Sequence, residues 1–215
     1  MRITSIEPQK KNPTRRNLYA DGEFVLGISA ETLLRFGLRV GDEISPVLIT
    51  AIEKAEELAG AKGVALRFLG ARPRTEREIR DKLREKEFGD EEIASTTAAL
   101  KASGLLDDAA FARMYIRDAL AARPAGKALL KRKLLLLGVE KSVVEDALEE
   151  TFAGVDVHAA AVGLAKQFIR KTHNLNKDET PMKRRNRVSS FLARKGYGWD
   201  VIEDVLKQVL KDAKE

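Results

Sequence analysis

Apolar residues recur along this chain as a triplet that occurs three times at one internal spacing. Leu83, Phe88 and Ile93 are five and five apart; Leu134, Val139 and Val144 repeat the set 51 residues later, and Leu192, Tyr197 and Ile202 a further 58 residues on. Periodicity of this kind marks tandem repeats, whose units each carry an apolar face that their neighbours must cover. The surrounding segments are rich in Leu, Ala, Lys, Arg and Glu, with apolar positions three and four apart and almost no internal Gly or Pro. The units are therefore helical. The pattern predicts three helices per unit: 62–72, 75–87 and 90–103, then 108–122, 126–137 and 142–153, then 156–173, 183–195 and 200–213.

Capping chemistry supports that registration. Thr75 with Glu78 forms a capping box at the start of the second helix, and Ser142 with Glu145 aligns with Asp200 and Glu203 at the start of the third helix in the next two units. Gly89, Gly138 and Gly196 adjoin the aligned Phe88, Val139 and Tyr197, in the turn before that helix.

The first 45 residues follow another pattern. Asp21-Gly22 is a two-residue hairpin signal, after which Phe24, Leu26 and Ile28 alternate as one face of a half-buried strand. Ser29 caps a short helix through Phe36, and Gly37 stops it. Ser45-Pro46 opens a helix expected to run to an interruption at Gly60/Gly63. The expected organisation is mainly α: a small β-rich N-terminal subdomain with its connecting helix over 1–60, then three-helix repeats over 61–104, 105–154 and 155–215.

Composition narrows the functional classes. The chain has no cysteine, which excludes disulfides and thiolate chemistry. It has no apolar run long enough to span a bilayer and no apolar stretch in Met1 to Lys10, so a cytoplasmic protein with no membrane partner is expected. The net charge of +6 is unevenly placed: −1, +2, 0 and +5 over the four segments 1–60, 61–104, 105–154 and 155–215. Between Lys166 and Lys195 stand ten basic residues against two acidic ones, Asp178 and Glu179. A field of that sign suits a polyanion or an acidic protein surface.

The candidate binding residues follow from that field. Lys183, Arg184, Arg185 and Arg187, with Arg194 and Lys195 further along, place cations near one side of a helix that contains no acid, although Phe191 and Leu192 interrupt the stripe. Arg72 and Arg74 precede a helix and can project from a turn, whereas Arg77 and Arg80 interleave with acids and are expected to pair locally. Lys131 and Arg132 are intermediate candidates, because consecutive basic residues fan around a helix. Trp199 occupies a position that is polar in the other repeats, Asp90 and Lys141, and is open to stacking on a base or anchoring an interface. Tyr197 belongs to the core pattern.

Catalytic alternatives find little support. Asp107-Asp108 reads as a helix cap rather than a metal pair, and His158 and His173 lack a ligand partner at recognisable spacing. Gly126-Lys127 fails as a phosphate loop, since Ala121 and Ala128 stand where Gly and Ser/Thr are required. No enzyme, cofactor or metal is expected.

Three segments together resemble the RecX family, bacterial regulators of the RecA recombinase. They are Arg72-Pro73-Arg74-Thr75-Glu76 with Leu83 and Phe88, then Gly104-Leu105-Leu106-Asp107-Asp108 with Phe111-Ala112, and Phe191-Leu192-Ala193-Arg194-Lys195-Gly196-Tyr197. The resemblance implies an elongated curved array of three-helix units, monomeric and without catalysis, lying in the groove of the RecA filament on single-stranded DNA. It implies inhibition of strand exchange or promotion of disassembly, within DNA repair and the SOS response. A longer loop from Asn174 to Met182 departs from the family pattern. The alternative is a helical module that binds single- or double-stranded DNA directly.

Overall fold

The computed structural model describes residues 1–10, 12–172 and 179–211, which form three strands and ten helices. Two compact units result: Met1–Arg72 with Ile79–Ser103, and Pro73–Glu78 with Gly104–Glu215.

In the first unit, β1 (Ile3–Pro8), β2 (Arg15–Ala20) and β3 (Glu23–Ser29) form an antiparallel sheet in that order. Asp21 and Gly22, at φ 50° and 86°, make the expected two-residue turn. Leu26 and Ile28 face the core, but Phe24 is 58% exposed and meets the Tyr19 edge at 5.8 Å. The cause is a bulge: Leu18 pairs with Leu26 while the next residue, Tyr19, pairs with Phe24, and the extra residue reverses the alternation. Helix α1 (Ala30–Phe36) is capped by Ser29, whose hydroxyl accepts from Thr32 N at 3.1 Å, and ends on left-handed Gly37.

Helix α2 (Pro46–Ala71) corrects the expected break, because it runs unbroken through Gly60 and Gly63. Two interior glycines cost about 2 kcal/mol relative to Ala. Burying one Ile side chain recovers about as much, and Ile52, Ala55, Ala61 and Ala65 are all buried along the helix. With α3 (Glu76–Glu85) and α4 (Asp90–Ala102) it supplies helices of the first repeat; the first turn of α3 clusters with the second unit.

The second unit contains α5 (Asp108–Ala122), α6 (Lys127–Leu136) and α7 (Lys141–Phe152), then α8 (Val157–Thr172), α9 (Pro181–Arg194) and α10 (Trp199–Lys211). One core gathers Phe111, Ile116, Leu134 and Val144, another Val188, Leu192, Ile202 and Val205, and Val157 packs against both. The expected ends at 173 and 212–213 lie outside the described residues.

The repeated triplet has one geometric meaning. Backbone N–H groups of Phe88, Val139 and Tyr197 donate to the carbonyls of Leu83, Leu134 and Leu192 at 3.2, 3.1 and 3.2 Å. Each bond closes a Schellman turn around a residue of positive φ: Glu87, Gly138 and Gly196. Ile93, Val144 and Ile202 then start the next helix by donating to Gly89, Glu140 and Gly198, each at 3.0 Å. Gly89 is thus an N-cap with φ −69°, and Glu87 takes the left-handed place in the first repeat.

The Thr75–Glu78 capping box forms, with bonds of 3.1 and 3.2 Å. The aligned boxes do not. Ser142 Oγ donates to Glu140, Glu145 reaches Lys131, and Glu203 reaches Arg185. Glu140 and Gly198 stand at the helix starts, which places Ser142 and Asp200 inside the first turn.

Successive repeat elements meet through these turns. The Thr75 hydroxyl donates to Leu137 O at 2.7 Å, and the Arg77 stem lies against Gly138. Likewise Gly126 N donates to Lys195 O at 2.8 Å, and Leu129 lies against Gly196. In both joints, the start of one repeat's second helix seats on the turn that ends the next repeat's second helix.

Candidate functional site

The basic residues of α9 divide into paired and unpaired groups. Glu179 precedes the helix and accepts both arms of Arg187, Nε at 2.8 Å and Nη2 at 2.7 Å, while Arg184 Nε lies 4.0 Å away. Arg187 also donates to the Thr172 hydroxyl and lies over the Phe168 ring at 5.2 Å. The Glu179 side chain is only 9% exposed. Its hydrogen bonds from Arg187 hold its carboxyl below the usual range against the opposing effect of burial, assisted by the charges of Arg187, Arg184 and Lys183.

This arrangement corrects the expectation of an uncompensated stripe. Two of its cations converge on one carboxylate that lies just outside the helix. Arg185 leans toward Glu203 at 4.0 Å, leaving Lys183 and Arg194 exposed without a side-chain ion pair among the described residues.

The remaining candidates are dispersed. Arg74 is folded onto Glu78 at 3.3 Å with 14% of its side chain exposed, so it does not project from the turn. Arg72 is exposed at the end of α2. Lys131 reaches across to Glu145 at 2.5 Å, and this bond lowers the Glu145 pKa despite opposing desolvation; Arg132 is exposed. Trp199 opens α10 with 61% of its surface exposed. Tyr197 is buried as expected, and burial pushes its phenol pKa up.

Asp107 and Asp108 cap separate helices. Asp107 accepts from Ala110 N at 2.9 Å, and Asp108 from Glu76 N at 2.9 Å. His158 is exposed; His173 and 174–178 of the extended loop lie outside the described residues.

Lys195 joins a group that the sequence reading did not single out. A cleft of about 530 Å³ is bordered by Arg123 and Pro124 after α5, Lys171 of α8 and Lys195 after α9, with Phe168 and Phe191 in its lining. A neighbouring cleft of about 510 Å³ continues along α8 past Lys166 and Arg170, sharing Pro124, Leu164 and Gln167 with the first. Positions 163, 166, 167, 170 and 171 form a helical stripe, a signal present in the sequence. Arg123 arrives only through tertiary packing. Neither lining contains a carboxylate among the described residues.

Three repeated turn geometries and a small antiparallel sheet define a tandem three-helix repeat protein. Residues 1–45 match the family model for the regulatory protein RecX N-terminal domain, and 61–98, 107–148 and 162–206 match the first, second and third three-helix domains of RecX. The chain belongs to the RecX family of regulatory proteins. Regulatory protein RecX of Clostridium perfringens is 33% identical over 97% of this chain and 96% of its own. That of Clostridium acetobutylicum is 31% identical over 98% and 97%. A crystal structure of regulatory protein RecX matches with a TM-score of 0.78 at 29% identity, covering 98% of both chains. RecX from Lactobacillus salivarius shares the fold, with a TM-score of 0.64 at 23% identity over 72% of this chain and 97% of that one.

Proposed function

We propose that this protein binds the RecA nucleoprotein filament and inhibits or modulates recombinase activity in the cytoplasm, without catalysing a reaction. Family membership along nearly the whole chain is the observation that carries the reading. The repeated joints add physical support, because adjoining helical units can present a binding surface longer than one repeat. The shifted carboxylates are accounted for by ion pairs and hydrogen bonds rather than by a reactive cluster: Glu56, Glu85, Glu145 and Glu179 are all shifted downward. Repeats over 61–104, 105–154 and 155–215 form the working part of a monomer.

The test is recombinase-driven strand exchange with increasing amounts of purified protein. Inhibition that saturates at a fixed ratio to filament supports the reading. Unchanged strand exchange at saturating protein refutes it. A second reading, a helical module that binds single- or double-stranded DNA directly, is favoured by the cleft along α8, where cations gather without a carboxylate among the described lining residues.

A further inference from the structure

The groove along α8 differs in kind from the basic surface of α9. On α9, Arg184, Arg185 and Arg187 have acidic neighbours. Along the groove, Arg123, Arg170, Lys171 and Lys195 make no ion pair among the described residues. Holding like charges around one groove raises the free energy of the unoccupied state, and an anion relieves that repulsion.

The shape and chemistry of the groove narrow the choice of anion. Its two clefts share Pro124, Leu164 and Gln167, so the cations are strung along one groove rather than gathered at one point. That arrangement suits a polyanion. Phe168 and Phe191 turn a face to each other at 4.0 Å and 4°, with Arg187 over the first ring and Lys195 over the second. The rings are therefore largely committed to one another, and the groove recognises charge rather than stacked bases.

A peptide added as a strand would need main-chain hydrogen-bonding partners at the rim. Several donors there are already used: Arg123 N on Ala119 O at 3.0 Å, Gly126 N on Lys195 O at 2.8 Å and Lys195 N on Phe191 O at 3.1 Å. Pro124 has no donor.

We propose that this groove is a binding site for the phosphate backbone of single-stranded nucleic acid, with Arg123, Arg170, Lys171 and Lys195 meeting successive phosphates. The site is sequence-tolerant, because its cations address the backbone. The proposal rests on the direct DNA-binding reading of this cleft, to which it assigns residues and a single-stranded ligand, and it does not depend on filament binding.

Anisotropy of a fluorescent oligothymidylate, titrated with the full chain over a salt series, tests the assignment. Replacing Arg123, Arg170 and Lys171 together with Ala is expected to weaken binding on the order of tenfold or more and to flatten the log affinity–log salt slope by about 2, roughly 0.7 per lost phosphate contact. The charge-conserving pair Arg170→Lys and Lys171→Arg keeps most of the affinity. Individual Arg123→Glu and Lys171→Glu variants, checked by circular dichroism, test each wall should the triple variant fold poorly.

An unchanged slope in folded groove variants overturns the proposal. So does loss of binding to an acidic polyglutamate peptide while oligothymidylate binding is retained, an outcome that assigns the groove to an acidic protein. The assay contains no recombinase, so its result is distinct from success or failure of the strand-exchange test.

Discussion

Alanine at three glycines should separate backbone strain from the repeat joint. Gly104 and Gly196 have φ of 69° and 85°, both in the left-handed region that disfavours a Cβ. That conformation alone costs about 1–2 kcal/mol. At Gly104 a Cβ would meet nothing within 4 Å, so Gly104→Ala is expected to lose only that amount. At Gly196 the new atom would overlap the backbone N and Cβ of Leu129, and overpacking adds about 1–3 kcal/mol. Gly196→Ala should therefore be destabilised by about 2–5 kcal/mol in all. Gly163 lies inside α8 with open space around it, and Gly163→Ala should gain about 0.5–1 kcal/mol. Urea unfolding followed by far-UV circular dichroism gives the ordering. Equal losses for Gly104→Ala and Gly196→Ala would refute the claim that the α6–Gly196 contact is a rigid joint.

Other residues give independent tests. Tyr197 Oη is buried without a hydrogen-bond partner among the described residues, so Tyr197→Phe is expected to preserve or raise stability, by up to about 1 kcal/mol in urea unfolding; a clear loss of stability would reveal a missing partner. Glu179→Ala releases Arg184 and Arg187 for anions, and the salt slope of oligothymidylate binding should steepen by up to about 1.4. At Glu56, burial pushes the carboxyl pKa up, but bonds from Thr32 and Ser29 and the charge of Arg15 outweigh it, giving a folded value below the usual 4.5. Its stabilisation is therefore full above pH 4.5 and lost as pH falls through the lower folded value. Glu56→Gln should cost about 1.5–3 kcal/mol at neutral pH and reduce acid sensitivity below that point, measured by thermal melts over a pH series.

Local physical signals were the most legible in the sequence. The apolar triplets located the Schellman turns because one Leu carbonyl and one residue five positions on close the same bond in every repeat. Ser29 and Ser45 cap helices through contacts only a few residues apart. The α2 break was misread because local glycine cost was set against no tertiary gain, while Phe24 was misplaced because a bulge leaves little mark on alternation. Counting charge within α9 located the basic region but did not assign Glu179, one residue before the Thr180 cap, as the partner of its arginines. The α8 stripe was visible by helical period, yet its pairing with Arg123 depends on the α5–α6 turn reaching across.

Filament recognition is tested most directly by equilibrium binding of the purified chain, at one salt concentration, to bare single strand, free RecA and the assembled RecA filament. The tightest binding is expected for the filament, because the chain's net charge of +6 is modest and much of the α9 charge is already paired. Affinity for bare strand equal to or greater than that for the filament would contradict it.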